Sequence, residues 1–291
     1  MTSGANSQLS TPHKNASANN KSPIPTFNDL YDTGNTLSCQ FIFVDLQKVV
    51  CDALESTFPA RALKSGEVSI IQGKFESYLE SNNIDCIVSS SNAFGLMDHG
   101  FDRSICTLLN DKDTCIQSKI QQEIIDKYHG EQPVGTCILV KTGNARIKYI
   151  ANAPTRRVNY SIKGTDNVYM CMKAVCNEIR IWNELQNDDA AKQIRTVLLS
   201  GLGTFYGAVS PKESARQTVL GWSLARIPKA SVSDMNWDFA HLRQSLIGYG
   251  GFNCFLQYIQ ENVETALTQK QQQQILRSLP KSVIDEWSEQ E

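Results

Sequence analysis

No stretch of this 291-residue chain holds the roughly 18–20 consecutive apolar side chains that a bilayer-spanning helix needs. Its start, MTSGANSQLSTPHKNASANNKSP, has no apolar core of the kind a secretory signal carries, so the expected location is intracellular, in cytoplasm, nucleus or both. An excess of one charge is also missing. Lys and Arg number 28 against 30 Asp and Glu, a net charge of −2, which excludes work that rests on electrostatic adhesion to nucleic acid or to a membrane surface. Neither C-x-x-C nor H-E-x-x-H occurs and histidines number four, so neither a metal nor a resident cofactor is expected. The nine cysteines are odd in number, scattered and mostly set in apolar runs, which reads as buried free thiols rather than a disulfide framework. No internal repeat is found.

What is present is a change of character near residue 38. Met1–Leu37 is rich in Ser, Thr, Asn, Gly and Pro and nearly devoid of large apolar side chains, the composition of a disordered arm. The span 38–228 reads as one domain, and 229–291 as a helical extension ending in a polar, Gln-rich tail. Within the domain, short Val/Ile-rich runs predict strands at FIFVD (Phe41–Asp45), VSIIQ (Val68–Gln72), DCIVSS (Asp85–Ser90), TCILVK (Thr136–Lys141), KYIANA (Lys148–Ala153) and RTVLLSG (Arg195–Gly201). Helical spacing separates them. Leu46, Val49, Val50 and Leu54 form one face, and Val168, Cys171, Met172, Val175, Ile179 and Trp182 another. Further helices are predicted at FESYLES, from near Phe101, and over Thr114–Tyr128. Ser210, Pro211 and Glu213 read as an N-cap, a first-turn proline and the closing member of a capping box, opening a helix to about Ala225. Strands alternating with amphipathic helices predict an α/β sandwich with a mostly parallel sheet covered on both faces.

In such sheets ligands bind beyond the carboxyl ends of the strands. Two loops there hold suitable residues. The second, Ser200-Gly201-Leu202-Gly203-Thr204-Phe205-Tyr206-Gly207, has glycines that let backbone N–H groups approach a phosphate. It lacks both the dinucleotide-binding glycine spacing and the Lys-Ser/Thr of a triphosphate loop, and a tight strand-to-helix turn is the plainer alternative. In the first loop, Ser91-Asn92-Ala93-Phe94-Gly95 leads through Met97-Asp98-His99-Gly100-Phe101 to Asp102. Asn92 can both donate to and accept from a ribose hydroxyl. Asp102, at a helix start, is either an N-cap or a carboxylate that holds a hydroxyl or a water. His99 is either a general acid or a solvated loop histidine. Tyr206 either flanks a ligand or packs under its loop.

Together these loops resemble the macro domain family, which binds ADP-ribose. IVSSSNAFGLMDHGFD lays without a gap on the family pattern N-A-A-N-x-x-L-x-G-G-G-G-V-D, with Asn92 on the second asparagine and Asp102 on the aspartate. SGLGTFYG is similar to its G-x-G-T-G loop, and KYIANAPT (Lys148–Thr155) to its strand ending in a ligand-edge proline loop. Within the family the chain looks most like a divergent fungal and bacterial branch for which ADP-ribose-1″-phosphate phosphatase activity, on a by-product of tRNA splicing, has been proposed. The resemblance implies a three-layer α/β/α sandwich with a mixed, mostly parallel sheet. It implies ligand contacts from Ser91, Asn92, Ala93, Gly95, Gly100, Phe101 and Asp102, and from Ser200, Gly201, Leu202, Gly203, Thr204, Phe205 and Tyr206. Asp102, His99 and Asn92 are then the candidate catalytic residues, and ADP-ribose or its 1″-phosphate the expected ligand. A reader of ADP-ribosylated protein, or a scaffold with a degenerate pocket, is the alternative. The chain departs from the pattern at Ser89, where the first asparagine stands in the family, at Met97-Asp98-His99 in the glycine run, and at Lys74, where the family has an adenine-binding aspartate. A lysine cannot accept from an adenine amino group, and Asp45 is the candidate substitute.

Overall fold

The computed structural model describes residues 37, 39–111 and 115–226. The expected helical extension over 229–291, and the arm over 1–36, lie outside the described residues. Leu37, placed in the arm by composition, is 2% exposed and packs into the core.

Six strands form one sheet in the order β2-β1-β6-β3-β5-β4. These are β1 (Gln40–Asp45), β2 (Val68–Gln72), β3 (Ile84–Ser89), β4 (Ile138–Lys141), β5 (Ile147–Asn152) and β6 (Thr196–Leu199). All neighbours are parallel except β4, which runs antiparallel to β5. The helices are α1 (Lys48–Thr57), α2 (Ala60–Lys64), α3 (Phe75–Ser81), α4 (Gly100–Leu109), α5 (Ile116–Tyr128), α6 (Asn167–Leu185) and α7 (Pro211–Ala225).

Alternation along the strands divides the core in two. Phe41, Phe43, Cys86, Val88, Val197 and Leu199 face one way, against Val50 and Leu54 of α1, the apolar stripe of α6 and Val219 and Trp222 of α7. Ile42, Val44, Ile87 and Leu198 face the other way, against Phe75 of α3, Ile105 of α4 and Ile116, Ile120 and Ile124 of α5. Each such side chain contributes roughly 1.5–3 kcal/mol on burial. Three layers result, as expected.

Two local readings need correction. Helix α1 begins at Lys48, so Leu46 belongs to the preceding loop, and Leu46 and Val49 are exposed. Val50, Cys51 and Leu54 make the buried face instead. At α7, Ser210 accepts from the Glu213 N–H at 3.3 Å, but the Glu213 carboxylate turns to Arg216 and Gln217, so only half the capping box forms. Of the cysteines, Cys39, Cys51, Cys86, Cys137, Cys171 and Cys176 are buried free thiols, while Cys106 is half-buried and Cys115 exposed. Among the described residues no helix is long and apolar enough to cross a membrane.

Candidate functional site

A cavity of about 520 Å³ opens over the carboxyl ends of the parallel strands. That volume is in the range of small-molecule sites. Sheet order sets its layout. At one end, Val44 and Asp45 of β1, Leu46 and Gln47 after it, and Gly73–Glu76 after β2 form the wall. The β6 loop crosses the middle with Ser200, Gly201, Gly203, Thr204, Phe205 and Tyr206. At the far end stand Ser90, His99, Gly100, Phe101 and Asp102 after β3, and Thr155 and Arg156 after β5.

The middle loop is held from below. Asp45 accepts from Gly201 N–H at 3.0 Å and from Gln47 N–H at 2.9 Å, tying it to β1. Ser214 of α7 donates to the Leu202 carbonyl at 2.6 Å. Gly207 sits so close to Gly203 that a Cβ there would lie 2.5 Å from the Gly203 carbonyl oxygen. Among the described residues, the N–H groups of Gly203, Thr204 and Phe205 have no protein acceptor, so they are available to an anion. Phe205 and Tyr206 form the exposed tip, with Tyr206 edge-on to Phe205 and to His99. Tyr206 is therefore not packed under its loop.

At the far end, Asp102 is the third residue of α4, and His99 occupies the N-cap position. Asp102 is thus no N-cap. Its Oδ1 accepts from Ser89 Oγ at 2.7 Å. Enclosure by protein pushes its carboxyl up to about 6, against the Ser89 hydrogen bond and nearby Arg156, which favour ionisation; Asp98 adds to the rise. The first turn of α4 faces the cavity, and its dipole favours an anion there. His99 is exposed, with Nδ1 2.7 Å from Asp98 Oδ1.

Several residues expected at the ligand are absent from the cavity wall, each for a local reason. Ser91 donates to Asn152 Oδ1 at 2.7 Å. Asn152 in turn donates to Gln132 Oε1 at 2.7 Å, and Gln132 N–H donates to the Ala93 carbonyl. Asn92 is 3% exposed, its Oδ1 accepting from the N–H groups of Phe94 and Leu96, so the carbonyl end of its side chain shapes the loop. Ala93 and Leu202 are buried. Gly95, at φ +64°, packs against α5, where a Cβ would meet Ile120 and Ile124 at 2.9 Å. Conversely, Arg156, Thr155, Ser90, Gln47 and Glu76 line the cavity without having been singled out. The signal for the first two was the proline loop after β5, which ends one residue before Arg156. Lys74 and Asp45 both lie in the wall of the β1–β2 end, and both Asp45 oxygens already hold a backbone N–H.

Among known proteins, no curated sequence matches the chain significantly. Solved structures similar to it include the macrodomain of Mycobacterium tuberculosis DarG, at 18% identity, covering 51% of this chain and 88% of that one with a TM-score of 0.39. The Oceanobacillus iheyensis macrodomain with ADP matches at 15% identity, covering 48% and 68%, with a TM-score of 0.38. The Trypanosoma brucei macrodomain in complex with ADP-ribose matches at 14%, covering 69% and 64%, with a TM-score of 0.36. The family model described as Macro domain matches residues 88–218, which run from the end of β3 to the middle of α7 and so include both loops. Over those residues the chain is similar to the Macro domain, the family its two loops resemble.

Proposed function

We propose that the cavity binds ADP-ribose or a close derivative stretched across the sheet. Adenine lies at the β1–β2 end, the pyrophosphate over the β6 loop and the distal ribose at the β3–β5 end. The supporting observation is the order of chemistry along one cavity, with free backbone N–H groups in the middle and the Asp102 carboxylate at one end. Lys74 cannot accept from an adenine amino group, so acceptance falls to the remaining lone pairs of Asp45 and to Glu76.

The reaction we assign is hydrolysis at the distal ribose, with the 1″-phosphate of ADP-ribose-1″-phosphate as the group removed. Asp102, ionised above about pH 6, holds the water and takes its proton as the water oxygen bonds to phosphorus. The phosphorus–oxygen bond to the ribose breaks, and the 1″ oxygen leaves with a proton from His99. ADP-ribose and inorganic phosphate are the products. The N–H groups of the β6 loop stabilise the diphosphate that anchors the substrate. Asp102→Ala is expected to lower phosphate release from ADP-ribose-1″-phosphate by 100-fold or more, in the range of general base removal. Normal turnover by that variant would refute the assignment. A second reading, a reader without turnover, is favoured by the placement of Ser89 and Asn92, whose side chains bond within the protein. It predicts ADP-ribose binding with no phosphate release from the wild-type chain.

A further inference from the structure

Arg156 is the cation of the β3–β5 end, and its bonding within the protein is incomplete. Its Nε is buried and has no hydrogen-bond partner. A buried N–H without an acceptor is costly, and such groups are usually explained by a ligand, a water or a strained functional site. Asp102 lies near enough to attract the guanidinium, yet the Asp102 hydrogen bond goes to Ser89. The backbone of Arg156 is fixed, pairing in parallel with Asn92 and accepting from Ala93 N–H at 3.0 Å. Its guanidinium carbon sits 5.4 Å from the centre of the Tyr206 ring, which steadies the side chain beside the cavity. The next residue behaves differently: Arg157 is exposed and pairs with Glu131 at 3.0 Å. Arginine in this setting presents a planar fork that fits two oxygens of a phosphate at once.

We propose that Arg156 is the specificity-determining residue of the cavity, selecting ligands that carry a phosphomonoester on the distal ribose over those that end there in a free hydroxyl or a neutral ester. The inference rests on the reading of the cavity as an ADP-ribose site. An anionic terminus brought beside Asp102 meets a like charge, and Arg156 is the cation placed to offset it. A ligand ending in a hydroxyl leaves the Arg156 fork partly unused.

Calorimetric titration of the full chain tests this with two probes, ADP-ribose and the non-hydrolysable 1″-phosphonate analogue of ADP-ribose-1″-phosphate. The wild type is expected to bind the phosphonate roughly tenfold tighter or more, the size of a charge-assisted contact. In Arg156→Gln that ratio falls to within about twofold, and Arg156→Lys, which keeps the charge but not the fork, is intermediate. Arg157→Gln keeps the wild-type ratio. The preference shrinks as salt rises. Thermal melting of each variant establishes that it is folded, and should Arg156→Gln fail to fold, the fall of the ratio in Arg156→Lys carries the test, an unchanged ratio there overturning the role of Arg156. If ADP-ribose binds but the wild type shows no preference, or Arg156→Gln retains it, the role of Arg156 is overturned while the cavity reading stands. If neither probe binds the wild type, both fall.

Discussion

Burying the Asp102 carboxylate destabilises the fold wherever the group is ionised. Its carboxyl is raised from 3.8 to about 6, so the folded chain holds that proton more tightly than the unfolded one. The resulting stabilisation is fully present below about pH 4 and is lost as pH rises through about 6. Asp102→Asn is therefore expected to be more stable than the wild type at pH 8, by about 2 kcal/mol, with the difference closing towards pH 4. Melting temperatures across that range check it. On the proposed reaction the same ionisation is expected to set activity, with phosphate release rising through about pH 6 in the wild type and Asp102→Asn losing that limb together with turnover. Asn92 works through structure. Asn92→Ala strips two loop N–H groups of their acceptor and is expected to destabilise by about 1–3 kcal/mol, weakening ADP-ribose through a looser loop. Denaturant unfolding and titration of one variant measure both effects. At this scale the position of Asp102 in the cavity wall was legible from its place in a motif, whereas the inward turn of Asn92 was not. That orientation follows from the loop path, which residue identity does not encode.

Among the elements, the β6 loop is the least tolerant of change. A methyl group at Gly207 would meet the Gly203 carbonyl oxygen at 2.5 Å, and no flexible side chain stands there to yield. Gly207→Ala is expected to cost 2 kcal/mol or more and, on the proposed binding mode, to weaken ligand binding at the same time, because the displaced backbone carries the N–H groups without a protein acceptor. Calorimetric unfolding together with titration tests the coupling. The first loop is pinned by Ser91, Asn152 and Gln132, all buried. Element types were readable because apolar periods of two and of 3.6 differ plainly. Phase was harder. Leu46 and Val49 satisfy helical spacing, yet the helix starts at Lys48 and its inward face is fixed by what it packs on. Likewise Glu213 sits where a capping box needs it, but the neighbouring Arg216 and Gln217 take its carboxylate.

For the whole molecule, alternation of strands and helices was enough to infer a parallel, two-sided sheet. Strand order was not, since inserting β6 between β1 and β3 depends on pairing across more than a hundred residues. Asp85 helps to fix that pairing. Its Oδ2 accepts from the N–H groups of Arg195 and Thr196, and its Oδ1 from Lys148 Nζ, and these partners hold its carboxyl below the ordinary value despite burial. The stabilisation it supplies is present above about pH 4 and fades as pH falls through the lowered value. Asp85→Ala is expected to cost roughly 2–3 kcal/mol at pH 7 and to flatten the acid limb of stability, as followed by urea unfolding at several pH values. The same strand order makes the cavity long, running from the ends of β1 and β2 past β6 to the ends of β3 and β5. Calorimetric titration of the full chain with ADP-ribose, with AMP as control, tests that layout most directly. One site with micromolar affinity for ADP-ribose, and far weaker binding of AMP, is the predicted result. Equal affinity for the two would mean that the β3–β5 end takes no part in binding, and no heat from either would contradict the cavity's assignment to ADP-ribose.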